Sequence, residues 1–442
     1  MTISEQRRQE VIDALRRGTV PQQGLDALAV GLDRFSSAIG ADFDRLVRGQ
    51  ATFKAIRGEY GAGKTFFTRW LAEQGKRRGF ATAEIQISEN ETPLHRLETV
   101  YRRLAERLST AEFAPSALRP VVDSWIFALE EDVLAGGDVG EDELARGVED
   151  LLEQRLAALG RVAPSFSAAL RAYRRAVAAG ETAVAEGLIA WLGGQPHVAG
   201  AVKRAAGVRG DLDHDGALGF LQGLLAVLTD SGHTGLVVIL DEVETLQRVR
   251  GDIRDKALNA LRQLIDDVDA GRFPGLMLAI TGTPAFFDGP QGAQRLAPLA
   301  QRLHVDFLPD PAYDNPRAVQ LRLPSFTQAS LAELGGRIRD LYAAGCAEPR
   351  RIDAAVDGGY ITALADTVAG QFGGRVGVAP RIFVKKLVDV LDRVDQFPTF
   401  DPRRDYVVRL AAGELTDTER AAMPTPPQPP PATSVDDIDL RL

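Results

Sequence analysis

Short apolar runs alternate along this chain with stretches in which apolar residues recur every three or four positions. The runs LVVIL at 236–240 and LMLAI at 276–280 are continuous and predict strands that are buried on both faces. TFKAIR at 52–57 predicts a first strand, and residues 254–268 have the spacing of an amphipathic helix. Strands that alternate with helices predict an α/β fold with a mostly parallel sheet.

Weaker patterns complete the prediction. Further strands are predicted over residues 81–88 and 319–323. Apolar residues at helical spacing predict helices over residues 5–17, 24–38, 64–78, 94–108 and 381–394. No strand is predicted from about residue 109 to residue 229, where the spacing is helical throughout.

These patterns divide the chain into four segments. Residues 1–50 are expected to form an N-terminal helical linker region, and residues 51–324 an α/β domain with a helical insertion at about 109–229. Residues 325–415 are expected to form a helical lid domain, with partner binding as a further possible role. Residues 416–442 contain the run PTPPQPPP and are expected to be a disordered tail, because proline neither extends a helix nor donates to a sheet.

The composition narrows the classes of partner. The 442 residues are 45% hydrophobic and 26% charged, which is typical of a globular protein with more than one domain. The formal net charge is −9, so the chain lacks the general attraction to nucleic acids and anionic membranes that a basic protein has. Contact with DNA would need local basic patches, and each candidate is also explained as a solvated helix face. The candidates are Arg102 with Arg103, Lys203 with Arg204 and Arg209, Arg248 with Arg250, and Lys385 with Lys386.

The cellular location is predicted from cysteine content and apolar runs. Cys346 is the single cysteine, which excludes an internal disulfide and fits a reducing compartment. The opening MTISEQRRQE has no apolar signal core, and the longest aliphatic runs are too short to cross a bilayer. We therefore expect a cytoplasmic protein with no membrane partner.

A phosphate-binding loop is predicted between the first strand and the helix that follows it. Residues 58–65 read GEYGAGKT and fit the pattern G-x-x-x-x-G-K-[ST]. Glycines let the loop amides turn toward an anion, and the positive end of the following helix faces the same point. We expect Lys64 to contact the β- and γ-phosphates of ATP and Thr65 to bind Mg²⁺; the alternative is a glycine-rich turn without a ligand. The predicted nucleotide-binding residues here are Gly58, Gly61, Ala62, Gly63, Lys64, Thr65 and Phe66.

A pair of acids follows the strand at 236–240. Ligands of parallel sheets bind at the carboxyl ends of the strands, so Asp241 and Glu242 are expected to face the phosphate loop if the two strands are neighbours. Asp241 would bind Mg²⁺ and contribute to the nucleotide site, and Glu242 would orient and deprotonate the attacking water. The alternative is a solvated helix start, where acids are common.

Four more residues are candidates for contacts with the γ-phosphate. Thr281 or Thr283 follows the strand at 276–280 and would bond the phosphate or the water, unless the two only build a turn. Arg302 would reach the γ-phosphate of a neighbouring subunit, unless it is a surface or salt-bridging arginine. Arg381 would clamp the phosphates from the start of a lid helix, unless Pro380 marks ordinary helix capping.

Several of these segments together resemble the BrxD family of ATP-binding proteins from BREX anti-phage defence systems. They are GEYGAGKT at 58–65, ILDEVETLQR at 239–248, ITGTPAFFDG at 280–289, GVAPRIF at 377–383 and LRRGTVPQQGLDALAVG at 15–31. The resemblance covers nearly the whole chain except the proline-rich tail. It implies a P-loop AAA+ nucleotide domain related to replication initiators, with a helical insertion and a C-terminal helical lid domain.

The resemblance also implies roles for individual residues. Lys64 and Thr65 match the Walker A site, and Asp241 and Glu242 match the Walker B site. Thr281 or Thr283 lies where many relatives have a sensor asparagine, Arg302 lies near the arginine-finger region, and Arg381 matches a lid sensor. Gly18 to Pro21, with Val20 among them, correspond to a linker that lines the adenine pocket in similar proteins.

Three functions are compatible with these features. The first is a Mg²⁺-dependent ATPase that binds ATP and ADP and couples the ATP cycle to assembly on DNA or on other BREX proteins, with ATP-dependent homo-oligomers as a further expectation. The second is a scaffold that binds ATP without hydrolysing it. The third is a STAND-like signalling ATPase with the insertion as its sensor. Glu242 favours hydrolysis over the second, and the lack of a long repeat array disfavours the third.

Overall fold

The computed structural model describes residues 3–135, 140–372, 380–415 and 419–420. The chain divides into two compact units, of which the first comprises residues 1–11 and 20–325 and the second residues 12–19 and 326–442. Residues 377–379 of the GVAPRIF segment lie outside the described residues. So does the predicted disordered tail, apart from residues 419 and 420.

A parallel five-stranded sheet forms the centre of the first unit. Its strands are β1 (Thr52–Arg57), β2 (Ala81–Gln86), β3 (Leu236–Asp241), β4 (Leu276–Gly282) and β5 (Gln320–Arg322). The order across the sheet is β2-β3-β4-β1-β5, and each neighbouring pair is parallel. All five predicted strands are therefore confirmed, although β2 and β5 are shorter than the apolar patterns that predicted them.

Helices account for most of the remaining described chain. Up to the end of the first unit they are α1 (Glu5–Arg16), α2 (Asp33–Val47), α3 (Lys64–Arg77), α4 (Leu97–Arg107), α5 (Leu118–Leu134), α6 (Glu141–Val162), α7 (Pro164–Ala178), α8 (Thr182–Leu192), α9 (Gly200–Ala205), α10 (His214–Asp230), α11 (Gly251–Asp269), α12 (Pro284–Asp288) and α13 (Ala297–Leu303). In the second unit they are α14 (Gln328–Ala343), α15 (Pro349–Ala355), α16 (Gly358–Gln371), α17 (Pro380–Gln396) and α18 (Pro402–Asp405). None of the helices in the described ranges has the length and apolar character needed to cross a membrane.

The helix predicted over residues 24–38 is wrong for residues 24–32. A short 3-10 turn (Leu25–Leu28) occupies its first part, and α2 begins only at Asp33. Gly24 and Gly31 have φ angles of +77° and +70°, a left-handed conformation that interrupts a right-handed helix. The Glu73 carboxylate of α3 accepts hydrogen bonds from the amides of Gly24 (2.8 Å) and Leu25 (2.9 Å), which fixes the turn against α3.

The two faces of the sheet are covered by two separate cores. Successive residues of β3 and β4 point to opposite faces, as strand geometry requires, and both faces are apolar. The α3 core contains, among others, Phe35, Phe43, Phe67, Val237, Ile239 and Met277. The α10 core contains, among others, Leu104, Phe220, Leu261, Val238, Leu240 and Leu278. Because β3 and β4 carry apolar residues at every position up to Leu240 and Ile280, the centre of the sheet is buried on both faces.

The helices α5–α10 occupy the stretch in which no strand was predicted. Phe220 of α10 makes edge-to-face contacts with Tyr101 of α4, Phe166 of α7 and Trp191 of α8, at ring-centroid distances of 5.6, 5.2 and 5.1 Å. Such contacts stabilise a core beyond the area that they bury. Phe220 also belongs to the α10 core that covers the sheet, so the inserted helices and the sheet share one continuous apolar interior.

The second unit is helical in its described part. Its helices α14, α16 and α17 meet at Gly335, where a Cβ atom would lie 2.4 Å from Ile361 and 2.9 Å from Phe383. Only glycine permits so close an approach. With the parallel sheet and the inserted helices, these findings confirm the predicted α/β P-loop fold class with helical regions.

Gly235, immediately before β3, gives a test of how tightly the sheet is built. Its φ angle is +156°, and a Cβ atom there would lie 2.2 Å from the carbonyl oxygen of Gly275, which precedes β4. We expect Gly235→Ala to lower the free energy of unfolding by about 3 kcal/mol or more, because β3 and β4 must separate. Urea unfolding followed by circular dichroism measures the loss.

Gly232→Ala is the matched control. Gly232 also has a positive φ, +88°, but a Cβ atom there meets nothing within 4 Å. This variant should lower the free energy of unfolding by only about 1 kcal/mol, the cost of a positive φ angle at alanine. Equal losses for the two variants would show that the close approach of the strands is unimportant.

Candidate nucleotide-binding site

The predicted phosphate loop connects β1 to α3. Gly61 and Gly63 have φ angles of +82° and +86°, the left-handed conformation that glycine adopts without strain. Gly63 is the N-cap of α3, and the helix begins at Lys64. The first-turn amides of α3 therefore open toward the loop, which is the arrangement that binds phosphates in proteins.

The Lys64 side chain is buried inside this loop. Its Nζ donates hydrogen bonds to the carbonyl oxygens of Gly58 (3.0 Å) and Glu59 (3.3 Å). It also lies 3.7 Å from Oε1 of Glu244 and 5.0 Å from the ring centroid of Tyr60. The ammonium is thus enclosed by loop carbonyls, an aromatic face and a carboxylate.

Thr65 connects the loop to the acidic end of β3. The strands β1 and β3 are not neighbours, because β4 lies between them, so the adjacency on which the prediction was conditional is absent. The Thr65 hydroxyl, in the first turn of α3, nevertheless donates a hydrogen bond to Oδ2 of Asp241 (3.2 Å). The loop and the acid pair therefore meet through α3.

Thr281, at the end of β4, contacts both members of the acid pair. Its hydroxyl donates to Oδ1 of Asp241 and accepts a hydrogen bond from the backbone N–H of Glu242 (3.0 Å). The Thr281 side chain is fully buried. Thr281 thus orients both members of the acid pair, which follows from β4 being the strand between β1 and β3.

Glu242 has an unusual backbone conformation. Its φ and ψ angles are +61° and +44°, a left-handed conformation that is uncommon outside glycine and is found often at functional sites. Its carboxylate Oε2 accepts a hydrogen bond from the side-chain amide of Gln86 (2.8 Å), the last residue of β2. The neighbouring strand thus holds the carboxylate in place.

Two residues of this cluster, Gln86 and Glu244, were missed by the sequence analysis. Glu244 is 4% exposed and lies in the 3-10 turn (Val243–Gln247) that begins after Glu242. Burial raises the pKa of the Glu244 carboxyl above its ordinary value, and the Lys64 ammonium opposes that rise. An acid three residues after Asp241 was visible as a signal in DEVE, but its orientation depends on the left-handed turn at Glu242.

The remaining predicted nucleotide-binding residues surround the loop. Ala62 is buried in the α3 core, and Phe66 packs against that core. Val20 also packs against it, and its carbonyl oxygen accepts a hydrogen bond from Arg69 of α3. Thr283 is buried as the N-cap residue of α12 but caps that helix with no side-chain hydrogen bond.

The two predicted arginines have other partners. Arg302 of α13 forms an ion pair with Asp266 of α11 and donates to the carbonyl oxygen of Pro298 (2.8 Å). Arg381, at the start of α17 in the second unit, forms an ion pair with Glu419. The roles of both arginines at a phosphate stay predictions.

Several of the basic residues considered for DNA contact form ion pairs with acids. Lys203 lies 3.0 Å from Asp211, and Lys386 lies 2.9 Å from Glu414. Lys385 approaches the same Glu414 at 3.5 Å. These ion pairs account for the three lysines without a DNA contact, although Lys203 and Lys386 are too buried for the solvated helix faces of the alternative.

The oxygen donors at the end of β3 fit a magnesium ion. Mg²⁺ prefers oxygen ligands and is usually bound through one or two protein groups together with substrate phosphates. The Thr65 hydroxyl and the Asp241 carboxylate, 3.2 Å apart, are donors of this type. Within the described ranges no group of three or more His, Cys, Asp or Glu side chains is arranged to hold a metal.

No match to the chain is found among curated proteins. Among solved structures the chain is similar to the ORC2 protein of Aeropyrum pernix, whose structure is described as ADPNP-ADP complexes. The identity is 12% and the TM-score 0.35, over 81% of this chain and 67% of that chain.

A family model gives the broader result. The model of the BREX system ATP-binding protein BrxC/D matches residues 3–409, which include the phosphate loop, the acid pair and most of the second unit. The match supports an ATP-binding role in a BREX system. Since it extends over nearly the whole length of the sequence, the chain belongs to the BREX system ATP-binding protein BrxC/D family.

Proposed function

We propose that the chain is a Mg²⁺-dependent AAA+ ATPase that acts in BREX defence against bacteriophage. ATP binds at the loop of residues 58–65, and its turnover drives assembly on DNA or on other BREX proteins. The observation that carries the proposal is the contact between Thr65 and Asp241, because it joins the phosphate loop to the acidic end of β3. Since ATP and magnesium are supplied inside the cell, the proposal places the protein in the cytoplasm.

The phosphates are bound by the loop and by Lys64. The left-handed Gly61 and Gly63 shape the loop around the start of α3, and the α3 dipole favours an anion there. Lys64 supplies a positive charge at the β- and γ-phosphates. The side chains of Thr65 and Asp241 would hold Mg²⁺, which offsets the negative charge of the transferring phosphoryl group.

Glu242 is the proposed general base. Asp241 and Thr281 both accept the Glu242 backbone N–H, at 3.2 and 3.0 Å, so the residue is fixed at the carboxyl end of β3. Its side chain is only partly buried, which leaves a carboxylate oxygen accessible to an attacking water. A positioned carboxylate contributes to hydrolysis by accepting the proton of that water.

One observation favours a second function, that of a scaffold that binds ATP without hydrolysing it. The hydrogen bond from Gln86 occupies Oε2 of Glu242, one of the two oxygens that accept a proton. A hydrogen bond to a carboxylate makes it a weaker base, so hydrolysis would be slow unless Gln86 is displaced. The measured rate of ATP hydrolysis therefore separates the two functions.

The two arginines belong to the proposal as contacts that form during the cycle. Arg302 is proposed to leave Asp266 for the γ-phosphate of a second copy in an ATP-dependent oligomer, and Arg381 to leave Glu419 for the phosphates. Val20 is proposed to line the adenine pocket.

Lys64→Ala tests the phosphate site. We expect the affinity for ATP to fall by about 30-fold or more, because truncating a buried partner of a charged ligand costs at least about 2 kcal/mol. Isothermal titration calorimetry measures the change. Lys76→Ala, in the last turn of the same helix, is the control and should retain the wild-type affinity. Similar affinities for wild type and Lys64→Ala would refute the site.

Glu242→Gln tests the base. The variant should bind ATP as tightly as wild type. Its rate of hydrolysis should fall by about 100-fold or more, since general-base catalysis contributes on that order. Phosphate release measures turnover, with Glu89→Gln in the exposed loop after β2 as the control for loss of one carboxylate. Unchanged turnover in Glu242→Gln would rule out the assigned role.

Thr281→Val and Thr283→Val together identify the sensor position. Valine keeps the shape of threonine and removes the hydroxyl, which only in Thr281 is hydrogen-bonded to Asp241. We expect kcat to fall about tenfold further in Thr281→Val than in Thr283→Val, because a hydrogen bond to a charged group is worth about 1.5–3 kcal/mol. A larger loss in Thr283→Val would assign the role to Thr283 instead.

The link to assembly is tested by a pull-down with and without ATP. Glu242→Gln should retain partners in ATP that wild type releases as it turns over, and identification of the retained protein or DNA names the target. Identical recovery in all four conditions would argue against coupling to the ATP cycle.

A further inference from the structure

Glu244 is a buried carboxylate that the proposed hydrolysis does not use. It is 4% exposed, and neither of its oxygens accepts a hydrogen bond from another described residue. Burial of a charged group without hydrogen bonds is costly unless an opposite charge lies close by. The nearest such charge is the Lys64 ammonium, 3.7 Å from Oε1.

The turn at Glu242 is what brings this carboxylate to Lys64. The left-handed conformation of Glu242 turns the chain away from the line of β3 and into the 3-10 turn of residues 243–247. The hydroxyl of Thr245 donates to the Glu242 carbonyl oxygen (2.9 Å) and closes the turn. Glu244 is thereby held against the phosphate loop rather than exposed to solvent.

The charges around Lys64 are predominantly negative. Asp241 ends β3, and Glu242 and Glu244 follow it within three residues. Asp241 and Glu242 raise the pKa of Glu244 by repulsion, after the larger effect of burial. Tyr60 and the exposed Arg248 lie on the outer side of the same cluster. An incoming triphosphate adds further negative charge beside Lys64. Its phosphates and the Glu244 carboxylate would then both be attracted to the Lys64 ammonium.

We propose that Glu244 competes with nucleotide phosphates for the Lys64 ammonium, so that the Glu244 charge lowers nucleotide affinity and makes binding depend on Mg²⁺. The inference rests on the proposed ATP site and assigns Glu244 as a positioning residue of that site. Lys64 must leave Glu244 to reach the phosphates, and Glu244 then remains buried without a counter-ion. That cost is smallest when a divalent cation enters together with the nucleotide.

The reduction in nucleotide affinity depends on the fraction of molecules in which Lys64 is paired with Glu244. If Glu244 holds the lysine in most molecules, the apparent affinity is reduced by the fraction in which the lysine is available. For a fraction of about one third to one tenth, removal of the Glu244 charge tightens binding about three- to tenfold. A side chain with only a structural role would give the opposite sign, because its removal would loosen the loop.

The experiment is a fluorescence titration of the full chain with the ATP analogue mant-ATP, once with MgCl₂ and once with EDTA. Glu244→Gln keeps the volume of the side chain and removes its charge. Glu244→Met also removes the charge and leaves no buried amide, so it serves if the glutamine variant folds poorly. Both variants should bind about three- to tenfold more tightly than wild type, with the larger gain in EDTA.

Two controls isolate the buried charge. Glu89→Gln removes one exposed carboxylate from the loop after β2 and should retain the wild-type affinity in both buffers. Glu244→Asp keeps the charge and should bind more weakly than Glu244→Gln.

Unchanged or weaker binding by both neutral variants, with wild type saturable, would overturn the competition and leave the proposed ATP site intact. An equal gain in MgCl₂ and EDTA would overturn the proposed dependence on Mg²⁺, because the Glu244 charge would then oppose nucleotide binding to the same extent with and without the ion. No saturable binding by wild type or any variant would overturn both the ATP site and the inference.

Discussion

The hydroxyl–carboxylate contacts around Asp241 are the constraint on which the site depends. Asp241 accepts from Thr65 of α3 and from Thr281 of β4, so one carboxylate fixes the ends of two strands and the start of the phosphate-loop helix. The order β2-β3-β4-β1-β5 makes this possible, because β4 separates the loop-bearing strand from the acid-bearing strand. A threonine at the end of β4 fills that gap and aligns both acids.

The sequence was sufficient for elements whose signal is local. The strands β3 and β4 are apolar runs, and the phosphate loop is a spacing of glycines followed by lysine and threonine. Contacts that depend on a turn were not predictable: Glu244 reaches Lys64 only because Glu242 adopts a φ of +61°, which no residue type in DEVE requires. The helix predicted over 24–38 failed for a related reason, since two glycines with positive φ outweigh apolar spacing.

The insertion also shows the limit of spacing arguments. Helical spacing predicted the absence of strands, but not that Phe220 would join the inserted helices to the core beneath the sheet. That shared core means that α10 is packed by the sheet on one side and by α7 and α8 on the other. A change in the packing of the inserted helices is therefore expected to shift β3, the strand that carries Asp241, because close-packed interiors transmit strain.

The burial of an ion pair determines the free-energy cost of breaking it. The Arg302–Asp266 pair is about one third exposed on both sides, and such pairs contribute roughly 0–1 kcal/mol. Exchange of Asp266 for a phosphate is therefore inexpensive, and the present partner of Arg302 does not argue against a role at a neighbouring subunit. The Lys64–Glu244 pair is different, since both side chains are at most 9% exposed. Breaking it leaves a buried charge unpaired, so this pair influences nucleotide binding in a way that the exposed pairs do not.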